Sequence, residues 1–276
     1  MINPPIKWMG GKSQLRERII AEFPKHTTYV EVFGGAAWVL FGKTPSKVEV
    51  YNDVNSELVN FFRVAKHRPE ELIGALDLLP VSRELFLEWK HADLSTLNEV
   101  TRAARFYYLI HLCFGARFAG TKPQSDLGYS LASPPGFNPD RVREDIRRAF
   151  ERIKRVYIEH LDCLEVIKRY DSPDTLFFCD PPYVATHGYG GDGFGDGDQR
   201  RLAESLQGIE GRFLLTNSDH PLIRELYEGC FFQEVDVFYS AGTSKVEGAR
   251  EKEREVIVTN YKRHATLFDG LAGLVS

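Results

Sequence analysis

The chain has 276 residues, 43% of them hydrophobic before glycine is counted. That length suits one large domain or one domain carrying an insertion, and the composition is too apolar for a disordered chain. The formal net charge of −4 excludes a protein held on nucleic acid by bulk positive charge, so any DNA contact must come from local patches.

The first ten residues, Met1–Gly10, carry two prolines and no apolar core, and read as no signal peptide. Later apolar stretches are broken by Glu31, Lys43 or Glu49, so none offers the roughly 18 residues needed to span a membrane. Short runs rich in Val, Ile, Tyr and Phe predict strands over Thr28–Val32, Val48–Asn52, Val156–Leu161, Thr175–Cys179, Arg212–Thr216, Phe231–Phe238 and Glu255–Asn260. Helical patterns fall over Asn55–Lys66, Cys163–Arg169, Asp198–Gln207 and Pro221–Tyr227. This alternation predicts an α/β fold with a parallel sheet. No helical pattern separates the last two strands, which are expected to pair antiparallel at the end of the sheet. Between Asp53 and Arg155 lie over a hundred residues with three or four helical patterns and no convincing strand. A βα unit needs only about 30. The expected organisation is therefore a catalytic and cofactor-binding domain of residues 1–58 plus 157–276, interrupted by a helical subdomain of residues 59–156.

Cys113, Cys163, Cys179 and Cys230 form no CxxC pair, which argues against a zinc cluster and for reduced thiols in a cytoplasm. The eight histidines show no metal-ligand spacing, and His187 reads as a solvated loop residue. The glycine-rich run Gly188–Gly197 is either a mobile cover over a ligand or a disordered loop.

The strongest motif is Asp180-Pro181-Pro182-Tyr183, placed directly after the apolar run Thr175–Cys179. In open α/β sheets ligands sit outside the carboxyl ends of the strands. Proline removes a donor and fixes the backbone, so the Pro181 carbonyl can point outward as an acceptor. By itself the motif is also a plain turn signal. A carboxylate, a free carbonyl and an aromatic ring are what methylation of a planar exocyclic amine requires. The amine lone pair of adenine is delocalised into the ring; two acceptors that take its hydrogens favour pyramidalisation and free that pair. A base buried in a duplex must first be flipped out and stacked elsewhere.

Gly34-Gly35, between a strand and an apolar helix, allows close backbone approach to a ligand, or simply a tight turn. Asp53 closes the next strand, where an acidic residue suits ribose hydroxyls, although either Asp53 or Asn55 could cap the following helix. Trp8 and Lys12 taken alone read as a core tryptophan and a surface lysine. Arg141–Arg155 holds seven basic residues against three acidic ones, Arg147 and Arg148 among them. Such a face suits phosphates, or is an ordinary solvated face. Before it, Phe114–Asn138 is rich in Gly, Ser and Pro and carries Arg117, Phe118, Lys122, Gln124, Ser125 and Asn138. Arg, Gln and Asn read base edges in the major groove; a mobile surface loop has the same composition.

Taken together, six motifs in order resemble the Dam-like DNA adenine methyltransferases. They are Pro5–Lys12, Tyr29–Ala37, Tyr51–Asn55, Asp162, DPPY followed by Phe194 and Asp198-Gln199, and Leu214–Asp219. The resemblance covers roughly residues 1–66 and 157–262. It implies an S-adenosylmethionine-dependent methyltransferase sheet with an inserted helical DNA-recognition subdomain. The activity implied is methyl transfer to the exocyclic amine of adenine in double-stranded DNA, by base flipping and direct in-line displacement, with no metal. Asp180 and Pro181 would hold the amine, and Tyr183 would stack on the base. Trp8 would lie near the sulfonium and Lys12 near the carboxylate of the cofactor, with Phe33, Gly34 and Gly35 forming its loop. Asp53 would take the ribose and Asp162 the cofactor adenine, while Asp180 would also lie near the cofactor's amino group. Arg117, Lys122, Arg147 and Arg148 would face DNA. The sequence departs from the family at Val32, where Pro is frequent, at Ala37, where Gly is frequent, and at Cys163, where Phe is frequent. A monomer is expected, with a weak dimer as the alternative; restriction-modification is the implied setting, without an endonuclease being identified. The absence of a Pro-Cys dipeptide disfavours a cysteine-nucleophile cytosine methylase. A cytosine-amine methylase and a non-catalytic DNA-binding module are the competing readings.

Overall fold

The computed structural model describes residues 1–8, 10–77, 79–113, 118–119, 122–128, 132, 136–184, 194–239 and 251–262. The first half holds α1 (Arg16–Ala21), β1 (Thr28–Glu31), α2 (Trp38–Gly42), β2 (Val48–Asn52), α3 (Ser56–His67), α4 (Pro69–Leu76), α5 (Arg83–His91) and α6 (Glu99–Leu112). A two-strand hairpin follows, β3 (Phe118–Ala119) and β4 (Lys122–Pro123), and then α7 (Pro139–Ile153). The second half holds β5 (Tyr157–Glu159), α8 (Cys163–Tyr170), β6 (Thr175–Cys179), α9 (Asp196–Gln207), β7 (Arg212–Ser218), α10 (Pro221–Leu226), β8 (Phe231–Tyr239) and β9 (Glu251–Thr259).

Among the described residues, seven strands form one sheet in the order β5-β2-β1-β6-β7-β9-β8. The first five are parallel; β9 is antiparallel to both β7 and β8. The expected parallel sheet and its antiparallel end are both present, with β9 inserted between β7 and β8 rather than placed outermost. Central strands are buried on both faces, which is why Thr175–Cys179 is apolar throughout instead of alternating. Chain order reverses between β1 and β6, and the crevice outside their carboxyl ends is where such sheets take ligands.

Helices cover both faces. Val166, Ile167, Leu202, Leu206 and Ile223, from α8, α9 and α10, pack with Val30, Phe177, Phe213 and Leu215. On the other face, α1, α2, α3, α6 and α7 pack on Tyr29, Tyr51, Leu176, Phe178 and Leu214. The helices between β2 and β5 thus share a core with the sheet. Within this region the structure adds detail that the patterns did not carry. Five α-helices are present among its described residues, because Pro69 ends one helical pattern and starts the next at α4. A short hairpin is also present, because strands of two residues have no periodicity to read.

Fully buried Glu57 on α3 ties the helices together. It pairs with Arg102, and with fully buried Arg105 at 3.5 Å, both on α6. Asn55, not Asp53, caps α3, its side chain accepting from the Glu57 and Leu58 amides. No helix among the described residues is long and apolar enough to cross a membrane. Breaking a buried pair by removing one partner costs about 3–5 kcal/mol. Glu57→Ala is therefore expected to lower the unfolding free energy by about that amount, read as a lower urea midpoint at constant m-value; an unchanged midpoint would remove this pair from the stability of the helical region.

Candidate active site

The crevice between β1 and β6 collects residues that are far apart in the chain. Asp180 follows β6 directly. Its Oδ1 accepts from Lys12 Nζ at 2.8 Å and from Thr216 Oγ1, on β7, at 2.7 Å. Its Oδ2 accepts from no described residue, and the side chain keeps 17% exposure. Burial pushes the Asp180 carboxyl above the ordinary aspartate range, while the Lys12 cation and the two hydrogen bonds pull it back. The expected surface lysine is thus buried, its ammonium also donating to the Gly10 carbonyl at 3.1 Å and lying 4.7 Å from the Tyr183 ring centre.

The loop after Asp180 is fixed from behind. Gln199 on α9 donates to the Pro182 carbonyl at 2.8 Å, and the Val184 amide donates to Asn217 Oδ1 at 3.2 Å. Asn217 in turn donates to Gln199 Oε1 at 3.4 Å. The Pro181 carbonyl accepts from no described residue, so DPPY presents two open acceptors, Asp180 Oδ2 and Pro181 O, beside a half-buried Tyr183. The phenol of Tyr183 donates to Glu255 Oε2, on β9, at 2.6 Å. Thr216, Gln199, Asn217 and Glu255 were not assigned roles from sequence. Gln199, Thr216 and Asn217 lie within motifs that resemble the family's, and Glu255 opens the buried run Val256–Thr259.

The loop after β1 is equally determined. A Cβ on Gly34 would drive into the Tyr51 ring, so close approach is what requires glycine there. Gly35 has φ +49°, and a Cβ there would meet Trp8 Cδ1 at 3.1 Å. Ala37, where the resembling family frequently has glycine, sits at φ 63°, a left-handed conformation that costs an L-residue about 1–2 kcal/mol. Asp53 accepts from the Gly35 amide and the Asn55 amide, each at 2.8 Å. Burial raises its pKa and these bonds oppose the rise. Asn52 ties three strand ends together, donating to Val32 O and Leu161 O and accepting from Leu161 N. Below the loop, buried Glu31 accepts from Tyr29 Oη and Leu40 N, and desolvation lifts its carboxyl to about 8.

Beside this loop, half-buried Phe33 meets Phe194 edge-on at 5.5 Å. Asp162 caps α8 through the Leu164 amide and is otherwise exposed. Trp8 packs on Phe106 and Phe118 at about 6 Å. Phe33, Asp53 and Asp162 each directly follow one of the three strand ends that Asn52 ties together, and a ring with two carboxylate acceptors suits the base, hydroxyls and amine of a nucleoside. Among the described residues no cluster of His, Cys, Asp or Glu could hold a metal ion.

The residues expected to face DNA are differently placed. Arg117 and His187 lie outside the described residues, as does 188–193 of the glycine-rich run. Lys122 is exposed on β4. Arg147 and Arg148 are exposed on α7, and each already holds a carboxylate, Glu70 at 3.0 Å and Glu144 respectively. Arg143 pairs with Asp77, Lys154 with Glu151, and Arg152 is buried against Glu49 at 2.6 Å.

Comparison with known proteins identifies the class to which this constellation belongs. The profile of the D12 class N6 adenine-specific DNA methyltransferases matches residues 8–241. A type II methyltransferase of Lactococcus lactis subsp. cremoris is 30% identical over 94% of this chain and 96% of its own. The DNA adenine methylase of Haemophilus influenzae is 25% identical, covering 91% of each chain. A retron Ec67 DNA adenine methylase of Escherichia coli is 25% identical over 98% of this chain and 96% of its own. The chain belongs to the D12 class N6 adenine-specific DNA methyltransferase family and is an adenine-specific DNA methyltransferase.

Lys12 is the only cation within bonding distance of Asp180 among the described residues, so Lys12→Met should let desolvation raise the Asp180 carboxyl further. A carboxyl with a higher pKa stays protonated to higher pH. The acid limb of the methyl-transfer rate profile should therefore move to higher pH in Lys12→Met; an unmoved limb would mean the ammonium does not hold Asp180 ionised.

Proposed function

We propose that this enzyme methylates the N6 amine of an adenine rotated out of duplex DNA, with S-adenosylmethionine as the donor. The observation that carries this reading is the pair of open acceptors, Asp180 Oδ2 and Pro181 O, beside the Tyr183 ring. An exocyclic amine has two hydrogens to give and no acceptor of its own while its lone pair is delocalised. Two fixed acceptors take both hydrogens, hold the nitrogen in place and favour its pyramidal form. Tyr183 supplies a face for the extruded base, which has lost its stacking partners.

S-adenosylmethionine, when bound, supplies an electrophilic methyl group that the amine displaces from sulfur, the sulfur keeping the bonding pair and the nitrogen shedding a proton. Asp53 would hold the ribose with the lone pairs its two backbone bonds leave, and Phe33 would cover the adenine with Asp162 beside it. Gly34 and Gly35 would let the backbone come close, with Trp8 flanking the sulfonium. Lys12 is bonded to Asp180; it would reach the donor's carboxylate only by exchanging partners. Asp180 would serve both the amine and the donor's amino group.

Residues 59–156 would read the DNA, Lys122 and Arg117 lying in their loop-rich part. Arg147 and Arg148 would reach phosphates only by exchanging carboxylates. We place the enzyme in the cytoplasm as a monomer, with a weak dimer as the alternative and restriction-modification as a setting consistent with its relatives.

Incubating duplex DNA with methyl-labelled S-adenosylmethionine and analysing the nucleosides should yield N6-methyladenine; label in cytosine, or none, would sink the assignment. Asp180→Asn keeps size but replaces an acceptor with a donor and removes the charge that supports a positive nitrogen. It should lower the single-turnover rate about 10²–10³-fold at saturating substrates. Tyr183→Ala should instead weaken the hold on the base by about 1–3 kcal/mol, read with a fluorescent adenine analogue at the target. Neutralising Arg147 and Arg148 together should lower DNA affinity and flatten its salt dependence while cofactor binding is unchanged; an identical salt slope would confine both to their ion pairs.

A further inference from the structure

Glu255 is 2% exposed, on β9, opposite Ser218 at the carboxyl end of β7. The residues after it, Val256, Ile257 and Val258, are fully buried core. A carboxylate in that position is costly to desolvate unless it is hydrogen-bonded. It accepts the Tyr183 phenol at 2.6 Å, the short range of a hydroxyl bonded to a charged acceptor. That bond spans 72 positions of chain and joins the antiparallel end of the sheet to the DPPY loop. Its charge also reaches Asp180, whose carboxyl it pushes upward.

Two consequences follow from the chemistry of a phenol held in this way. The bond anchors the far end of the ring, so the side chain cannot swing about its Cα–Cβ bond without breaking it, and the place of the ring beside Asp180 is held. Donation to a carboxylate also polarises the phenol toward phenolate and makes the ring face more electron-rich. An electron-rich face attracts cations, as the Lys12 ammonium 4.7 Å from the ring centre illustrates. Adenine becomes cationic as its amine gains a methyl group and before it loses a proton.

We propose that Glu255 is a positioning residue for methyl transfer: through the Tyr183 phenol it holds the ring in place and enriches the ring face on which the adenine becomes positive, resting on the base-stacking role of Tyr183 proposed above. The benefit is larger for the charged base in the transition state than for the neutral base before it. Loss of Glu255 should thus appear in the rate at saturation, not in binding.

The test compares Glu255→Gln, which keeps size and an acceptor, with Tyr183→Phe, which keeps the ring, and with the double variant. Each is measured by single-turnover methylation of a duplex oligonucleotide and by thermal melting. Each single variant should lose about tenfold in rate at saturating DNA and donor, the scale of one charge-assisted hydrogen bond. DNA and donor affinities should be unchanged, and the double variant should be no slower than the slower single. A wild-type rate in Glu255→Gln, or losses that multiply in the double variant, would overturn the proposal. Should Glu255→Gln not fold, Tyr183→Phe decides: a tenfold loss at full affinity supports the proposal, and an unchanged rate overturns it. Failure of the wild type to form N6-methyladenine would overturn the proposed function itself, whereas wild-type transfer with an unaffected Glu255→Gln overturns only the role of Glu255.

Discussion

Asp180 Oδ1 is bonded at once to Lys12 and Thr216, and the arrangement of the whole crevice depends on that one oxygen. A carboxylate at the end of a buried parallel strand is expensive unless its charge is met. Meeting it brings the segment before α1 across the carboxyl end of the sheet, so Trp8 and Lys12 stand over the switch point between β1 and β6. It also ties β6 to β7. With Oδ1 committed to structure, Oδ2 is left without a partner among the described residues, which is what the proposed role of Asp180 requires.

The same demand for charge pairing explains why α7 is a poorer cationic surface than its sequence suggests. Seven basic residues in Arg141–Arg155 look like a phosphate-binding face. Five of them are met by carboxylates, and those of Arg143, Arg147 and Arg152 come from α4, the turn after it, and β2. Arg152, bonded to Glu49 and to the Leu40 carbonyl, anchors the helix to the sheet. The basic residues of this helix are thus part of how the helical region is fastened, and phosphate contact there is an exchange of anions. Such an exchange gains less than a free cation would, because the attraction of the existing ion pair is given up.

Much of this was legible in the sequence, and the reasons for what was not are physical. Strands such as Thr175–Cys179 and Val48–Asn52 announce themselves by apolar runs, and the missing helix before β9 announced an antiparallel end. DPPY, Gly34-Gly35 and Asp53 stand out because their chemistry is local to a few residues. The β3–β4 hairpin was silent because strands of two residues carry no pattern. The choice between Asp53 and Asn55 as a cap needed coordinates, since both residue types cap equally well on paper. Thr216, Gln199, Asn217 and Glu255 act on DPPY across 17 to 72 positions of chain; the first three lie in family-like motifs, but which atom of DPPY each one holds is set by packing of the sheet and not by local sequence. Ala37 is intermediate: its departure from the family's glycine was visible, but its left-handed backbone was not.

The DPPY loop is poor in donors, and its bonds leave two of its acceptors without a partner among the described residues. Neither Pro181 nor Pro182 has an amide hydrogen. The next amide with a described partner, Val184, is taken by Asn217, and the Pro182 carbonyl by Gln199. What remains at the edge is one carboxylate oxygen and one carbonyl oxygen. An acceptor-only pair rewards a ligand atom with two hydrogens and penalises one that brings lone pairs, such as a carbonyl oxygen or a ring nitrogen. In the role proposed for this edge, preference for an amine would come from what the backbone does not offer, and the buried Gln199–Asn217 pair, which occupies the Pro182 carbonyl and the Val184 amide, would support it.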